Sequence, residues 1–306
     1  IRMGDSSWTR RCSHILALVT LRQPAFWERS WKHRAARLAI YLAAVYLGIL
    51  LALLCLEDFF LFGPRDADIV KPPAGVEVQN VEMTSRLGDR IHAWWSTPKD
   101  WRPEQGAVLF CHGNQGNLSY RRSALPHWLN EMNMAVLLFD YPGFGLSTGE
   151  TSEKGCYAAG DAAYDWLREN QKVPAERIIL YGGSLGGGIA TDLASRRGHR
   201  ALVLVASFTS FPDMAQTRYP WLPGRWLVRN RFDNLRKIAD CHGPVFIAHG
   251  TSDGLIPFTQ AERLFAAASP PKRIFPMTGY PHNDLTCDAF FPALRDFLAE
   301  CERSVN

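Results

Sequence analysis

No Cys-x-x-Cys pair and no His-Glu-x-x-His stretch occurs anywhere in the 306 residues. The seven cysteines (Cys12, Cys55, Cys111, Cys156, Cys241, Cys287 and Cys301) fall at spacings that match no metal site, and no carboxylate cluster compensates. We therefore expect no metal and no cofactor. Five of these cysteines follow residue 75, which leaves room for one or two disulfides with the pairing open. Excess charge is also missing from most of the chain. Residues 1–37 carry eight Lys/Arg against two Asp/Glu, whereas the remainder carries 26 against 28. The body thus has no basic footprint of the kind that nucleic acid requires, and no nucleic-acid partner is expected. The absence of internal repeats and low-complexity tracts excludes a solenoid.

A long uncharged run is present, from Leu38 to Leu56. As a helix it reaches ~28 Å, close to the ~30 Å of a hydrocarbon core. A buried core helix normally keeps a polar face, and this run has none, so we read 38–56 as a transmembrane helix. It is too long for a signal-peptide core and no Ala-x-Ala-like site follows it. Leu54 stands where a lipoprotein site at Cys55 needs a small residue. The basic stretch Arg29–Arg37 before the span places the N-terminus in the cytoplasm and the rest of the chain on the extracytoplasmic side. Glu57 and Asp58 end the span, and Phe59, Phe60 and Phe62 suit its interface. The apolar run Ile15–Leu21 is too short to cross. With Ile1 as first residue, the true N-terminus stays open.

The chain then divides into a basic cytoplasmic segment (1–37), the span (38–56), a linker (57–75) punctuated by Pro64, Pro72 and Pro73, and a domain (76–306). In that domain strand-like runs fall at Val76–Met83, Arg90–Ser96, Ala107–His112, Ala135–Asp140, Arg177–Tyr181, Ala201–Ala206, Val245–His249 and Arg273–Met277. Helix-like runs fall at Arg121–Met132, Ser152–Asn170, Leu185–Arg197, Thr259–Ala268 and Asp284–Glu300. Their alternation predicts an α/β fold with a mostly parallel, doubly wound sheet. The stretch 208–243 breaks the rhythm with aromatic residues among Pro212, Pro220 and Pro223, and reads as a cap insertion. Its apolar side chains either line an acyl pocket or pack the insertion onto the sheet. Trp94 and Trp95 alternate across a strand, so at most one faces the site.

Gly182-Gly-Ser-Leu-Gly186 lies between a strand-like run and a helix-like run. In that setting the Gly-x-Ser-x-Gly pattern forms a tight turn that exposes the serine hydroxyl, and Ser184 becomes a candidate nucleophile. A serine needs a base, an acid that orients the base, and N–H donors for the oxyanion. Asp253 follows the strand that ends at His249 and is the candidate acid. Its alternative is a turn residue that caps backbone N–H groups. His282 follows the last strand and is the candidate base. His92, His127, His242 and His249 sit in less suitable places. The Gly-rich loop Gly113–Asn117 supplies an oxyanion donor at the Asn114 backbone N–H, and Leu185, after the serine, supplies the other. His112 reads as a brace for this loop.

The segments His112–Asn117, Leu138–Gly149, Ile179–Gly187, Ser207–Ser210, Arg231–Leu235, His249–Asp253 and His282–Asp284, in this order, resemble the α/β-hydrolase superfamily. The resemblance is to its serine-aminopeptidase-like branch, which includes membrane-anchored depalmitoylase-type hydrolases. It covers the chain from about residue 75 onward and implies an α/β-hydrolase fold with Ser184 as nucleophile, Asp253 as acid and His282 as base. Gly183 and Pro281 depart from the residues common beside the serine and the histidine. Neither removes a reacting group.

The reading is a single-pass, membrane-anchored serine hydrolase that cleaves an ester or thioester with an apolar, lipid-like acyl group. A serine peptidase of aminopeptidase type and a non-catalytic membrane scaffold are the alternatives. The acyl length, protein partners and oligomeric state are not encoded in any motif.

Overall fold

The computed structural model describes residues 25–63, 67–282 and 287–303, with side chains from residue 30 onward. The run 15–21, Pro64 and the expected helix start at Asp284 lie outside the described residues. The chain divides after Cys55 into two compact units.

The first unit contains α1 (Ala25–Cys55), the one helix among the described residues that is long and apolar enough to cross a membrane. It begins well before Leu38, so the basic stretch is helical too. Leu38, Ile40, Leu42, Leu47 and Leu51 are exposed along it.

The second unit begins with α2 (Glu57–Phe62). This corrects the reading of 57–62 as linker, because Glu57 and Phe62 are buried. Phe62 leaves the interface role expected of it and meets the Phe232 ring at 6.4 Å. Beyond residue 66 the connection is also tied down: Asn117 Nδ2 donates to the Asp68 carbonyl (2.9 Å), and the Val70 N–H donates to Ser119 Oγ (2.9 Å).

Eight strands follow: β1 (Gln79–Thr84), β2 (Arg90–Ser96), β3 (Ala107–Cys111), β4 (Ala135–Phe139), β5 (Ile178–Gly183), β6 (Ala201–Val205), β7 (Val245–Gly250) and β8 (Lys272–Met277). They form one sheet in the order β1-β2-β4-β3-β5-β6-β7-β8. β1 and β2 pair antiparallel, as do β2 and β4, and every later pair is parallel. The central strands are buried on both faces, which is why Ala107–Cys111, Ala135–Phe139 and Ala201–Val205 are continuous apolar runs. Two cores result, one on each face. Trp95 joins one of them, against Trp101 and Trp166, and Trp94 joins the other while donating to Asn80 Oδ1 (3.1 Å).

The crossover helices are α3 (Glu153–Glu169), α4 (Gly186–Ala194), α8 (Thr259–Ala267) and, at the end, α9 (Phe290–Arg303). Between β6 and β7 lie the short helices α5 (Phe211–Arg218), α6 (Gly224–Leu227) and α7 (Asn234–Lys237). The helix expected at Arg121–Met132 is instead a 3-10 segment, Leu118–Ala124, followed by a π-helical one, His127–Glu131. Pro126 between them has no N–H to continue a ladder. The six described cysteines are all free. Burial pushes the Cys241 thiol up to about 12, so it behaves as packing.

Candidate active site

β5 runs through the centre of the sheet and delivers Ser184 to its C-terminal edge, where open α/β sheets place their sites. Ser184 adopts φ +50°. That left-handed conformation is uncommon for a residue with a Cβ and costs about 1–3 kcal/mol when tertiary structure enforces it. The enforcement is visible. The Ser184 N–H still donates to Val205 of β6 (2.9 Å), while α4 starts two residues later. Gly186 has to be glycine, since a Cβ there would lie 2.0 Å from the Cys111 carbonyl oxygen.

His282 Nε2 lies 3.2 Å from Ser184 Oγ, and His282 Nδ1 lies 2.7 Å from Asp253 Oδ2. With its Nδ1 proton directed at the carboxylate, the imidazole keeps Nε2 as the acceptor for the serine hydroxyl. The other Asp253 oxygen accepts the N–H groups of Leu255 (2.9 Å) and Ile256 (2.8 Å). Both the capping role and the orienting role of Asp253 are thus present in one side chain.

A second imidazole, which the sequence reading set aside, also faces this carboxylate. His249 Nε2 sits 3.3 Å from Asp253 Oδ2 and donates to the Ile256 carbonyl (2.8 Å). Burial alone would raise the pKa of Asp253. The bonds from His249, His282 and Ile256 outweigh it and hold the carboxyl well below the usual carboxylate range. The one sequence signal of His249 is its four-residue spacing before Asp253, which does not by itself turn the ring onto the carboxylate.

The loop after β3 lies against the serine, with the position of a Gly113 Cβ 3.4 Å from Ser184 Cβ. Asn114 follows Gly113 and Leu185 follows Ser184, so both backbone segments expected to donate to an oxyanion border the serine. Several bonds fix the loop. His112 Nδ1 donates to the Gly113 carbonyl (2.7 Å) and its Nε2 lies 3.2 Å from buried Asp140. The Leu118 N–H donates to the same carboxylate (2.7 Å). His112 is fully buried, stacked on Tyr141 at 4.5 Å, in the bracing position expected for it. Asn114 Nδ2 donates to the Leu61 carbonyl of α2 (2.6 Å), a contact with no sequence signal.

The cap residues divide. Phe211 stacks on Phe208 at 4.5 Å, and Phe232 packs against Tyr157 and Phe211, so these serve the core. Tyr219, Trp221 and Trp226 are exposed, which neither expectation for the insertion included.

This fold defines a class of proteins, and the comparisons agree on it. A family model described as alpha/beta hydrolase fold matches residues 106–234. A Mycobacterium tuberculosis protein is 39% identical over 231 residues, covering 74% of this chain and 80% of its own. The protein bem46 of Schizosaccharomyces pombe is 30% identical over 240 residues, 74% of this chain and 78% of its own. Among solved structures, an esterase of Pyrococcus furiosus superposes with a TM-score of 0.63 at 19% identity, covering 78% of this chain and 98% of its own. The chain belongs to the α/β-hydrolase superfamily.

Proposed function

We propose that this protein is a membrane-anchored serine hydrolase acting on carboxylic esters or thioesters. The observation that carries the reading is the continuous relay from Ser184 Oγ through His282 to Asp253, at 3.2 and 2.7 Å, on a serine held at φ +50°. His282 takes the hydroxyl proton as Ser184 Oγ bonds to the acyl carbon. The carbonyl oxygen becomes an oxyanion held by the Asn114 and Leu185 N–H groups. Collapse breaks the bond to the leaving alcohol or thiol, which departs with the proton from His282. Water, activated by the same imidazole, then splits the acyl-enzyme and releases the carboxylic acid. Asp253 keeps the imidazole in the required tautomer and stabilises its protonated form. Esterases among proteins of similar fold support the ester class, and the apolar helix α1 supports membrane anchoring.

The test is fluorophosphonate labelling of the detergent-solubilised chain beside Ser184→Ala. The parent should be labelled and should hydrolyse acyl esters, and the variant should do neither. A folded parent that takes no label removes the proposal and leaves the scaffold reading.

A further inference from the structure

Residues 214–231 of the cap contain Arg218, Arg225, Arg229 and Arg231 and not one Asp or Glu. Trp226 and Trp221 stand among them with 88% and 59% of their surface exposed. Indole rings left in water at that extent mark a surface that meets something else. Phe59 and Phe60 of α2 are similarly exposed, at 64% and 61%. Glu57 joins the two sets. Its Oε1 accepts the backbone N–H of Arg229 (3.0 Å) and of Asn230 (2.8 Å), and its Oε2 accepts Arg229 Nε (2.8 Å). The segments that carry these exposed aromatics are therefore joined at Glu57. In sequence, α2 starts two residues after the apolar helix ends at Cys55.

We propose that α2 and the cap seat together on the headgroup layer of an anionic bilayer. Aromatic rings with an apolar body and a polar edge prefer the depth of the headgroups. Arg218 and Arg225, in a stretch with no Asp or Glu from 214 to 231, complement anionic lipid. Phe59 follows the end of the apolar helix at Cys55 by four residues, which favours a bilayer over a protein partner as the occupant. The same α2 holds Asn114 through the Leu61 carbonyl, so the seated surface borders the loop beside Ser184. Resting on the proposed hydrolase activity, the substrate class narrows to acyl esters or thioesters carried in the bilayer and drawn from its headgroup layer.

The test reconstitutes the full chain into vesicles of phosphatidylcholine, with and without phosphatidylglycerol, whose acyl chains are brominated near the headgroup. Bromine quenches indoles that reach it. Trp221→Phe/Trp226→Phe should lose a salt-sensitive part of the quenching that the parent shows in anionic vesicles. Arg218→Glu/Arg225→Glu should lower hydrolysis of a long-chain ester embedded in those vesicles by about tenfold, with a soluble short-chain ester unaffected. Identical quenching in parent and tryptophan variant overturns the docking. So does a cross-linked dimer through this surface, which would assign it to a second copy. If no ester is hydrolysed by any form, the hydrolase reading fails, and the quenching still decides the docking.

Discussion

Asp253 concentrates three hydrogen-bond donors on one carboxylate, from His282 and two backbone amides, with the His249 imidazole 3.3 Å away. Its folded pKa is depressed, so the stability it contributes is present above the unfolded value near 3.9. That contribution is lost as pH falls from there through the folded value. A thermal-denaturation series should therefore show the parent weakening steeply below about pH 4, and Asp253→Asn weakening less over the same interval. Equal slopes would show that the carboxylate is not held in the way described. Of the residues in this site, Ser184, Asp253 and His282 were legible because each follows a strand in an order that the sheet imposes. His249 was not, because its approach depends on residues 250–256 curling back so that the Ile256 carbonyl meets its ring. Nothing in strand periodicity encodes that curl.

At the scale of elements, the strands and the helices α3, α4 and α8 were readable to within a few residues, since burial on two faces or one leaves a strong pattern, whereas α1 starts thirteen residues before the expected Leu38 because its basic first turns carry no apolar signal. α2 was not. Six residues are too few to show a helical period, and the partners that make it a helix worth keeping lie 172 and 173 positions away. Burial alone would raise Glu57, yet the Asn230 and Arg229 bonds outweigh it and hold the carboxylate ionised. Glu57→Ala leaves those donors without an acceptor and should cost about 1–3 kcal/mol, read as a lower urea midpoint with the slope unchanged. Because α2 also carries the Leu61 carbonyl, turnover of a soluble ester by the remaining folded protein should fall as well. An unaltered midpoint would make the contact superficial. The 3-10 and π-helical segments near Pro126 were missed for a related reason. Apolar spacing indicates a helix but does not report which backbone bond closes its turns.

For the molecule as a whole, the end of the uncharged run in the sequence falls next to the division after Cys55 into two compact units. The full chain should stay in the membrane pellet through an alkaline carbonate wash and leave it only with detergent. A C-terminal tag should be accessible from the extracytoplasmic side, as the basic residues before the span require. Accessibility from the cytoplasm alone would reverse the orientation and with it the pool of substrates.

The clasp between α2 and the cap also bears on how such a protein could be shed. Lys71, Ala74 and Gly75 are exposed and form the natural point of attack for a protease. A cut there severs the chain but not the association. Glu57, Phe62 and the Leu61 carbonyl would still grip the domain, much as a peptide stays bound in its complement. A nicked molecule would remain at its membrane until the domain itself unfolded, so a band of domain size on a denaturing gel would be no sign of release.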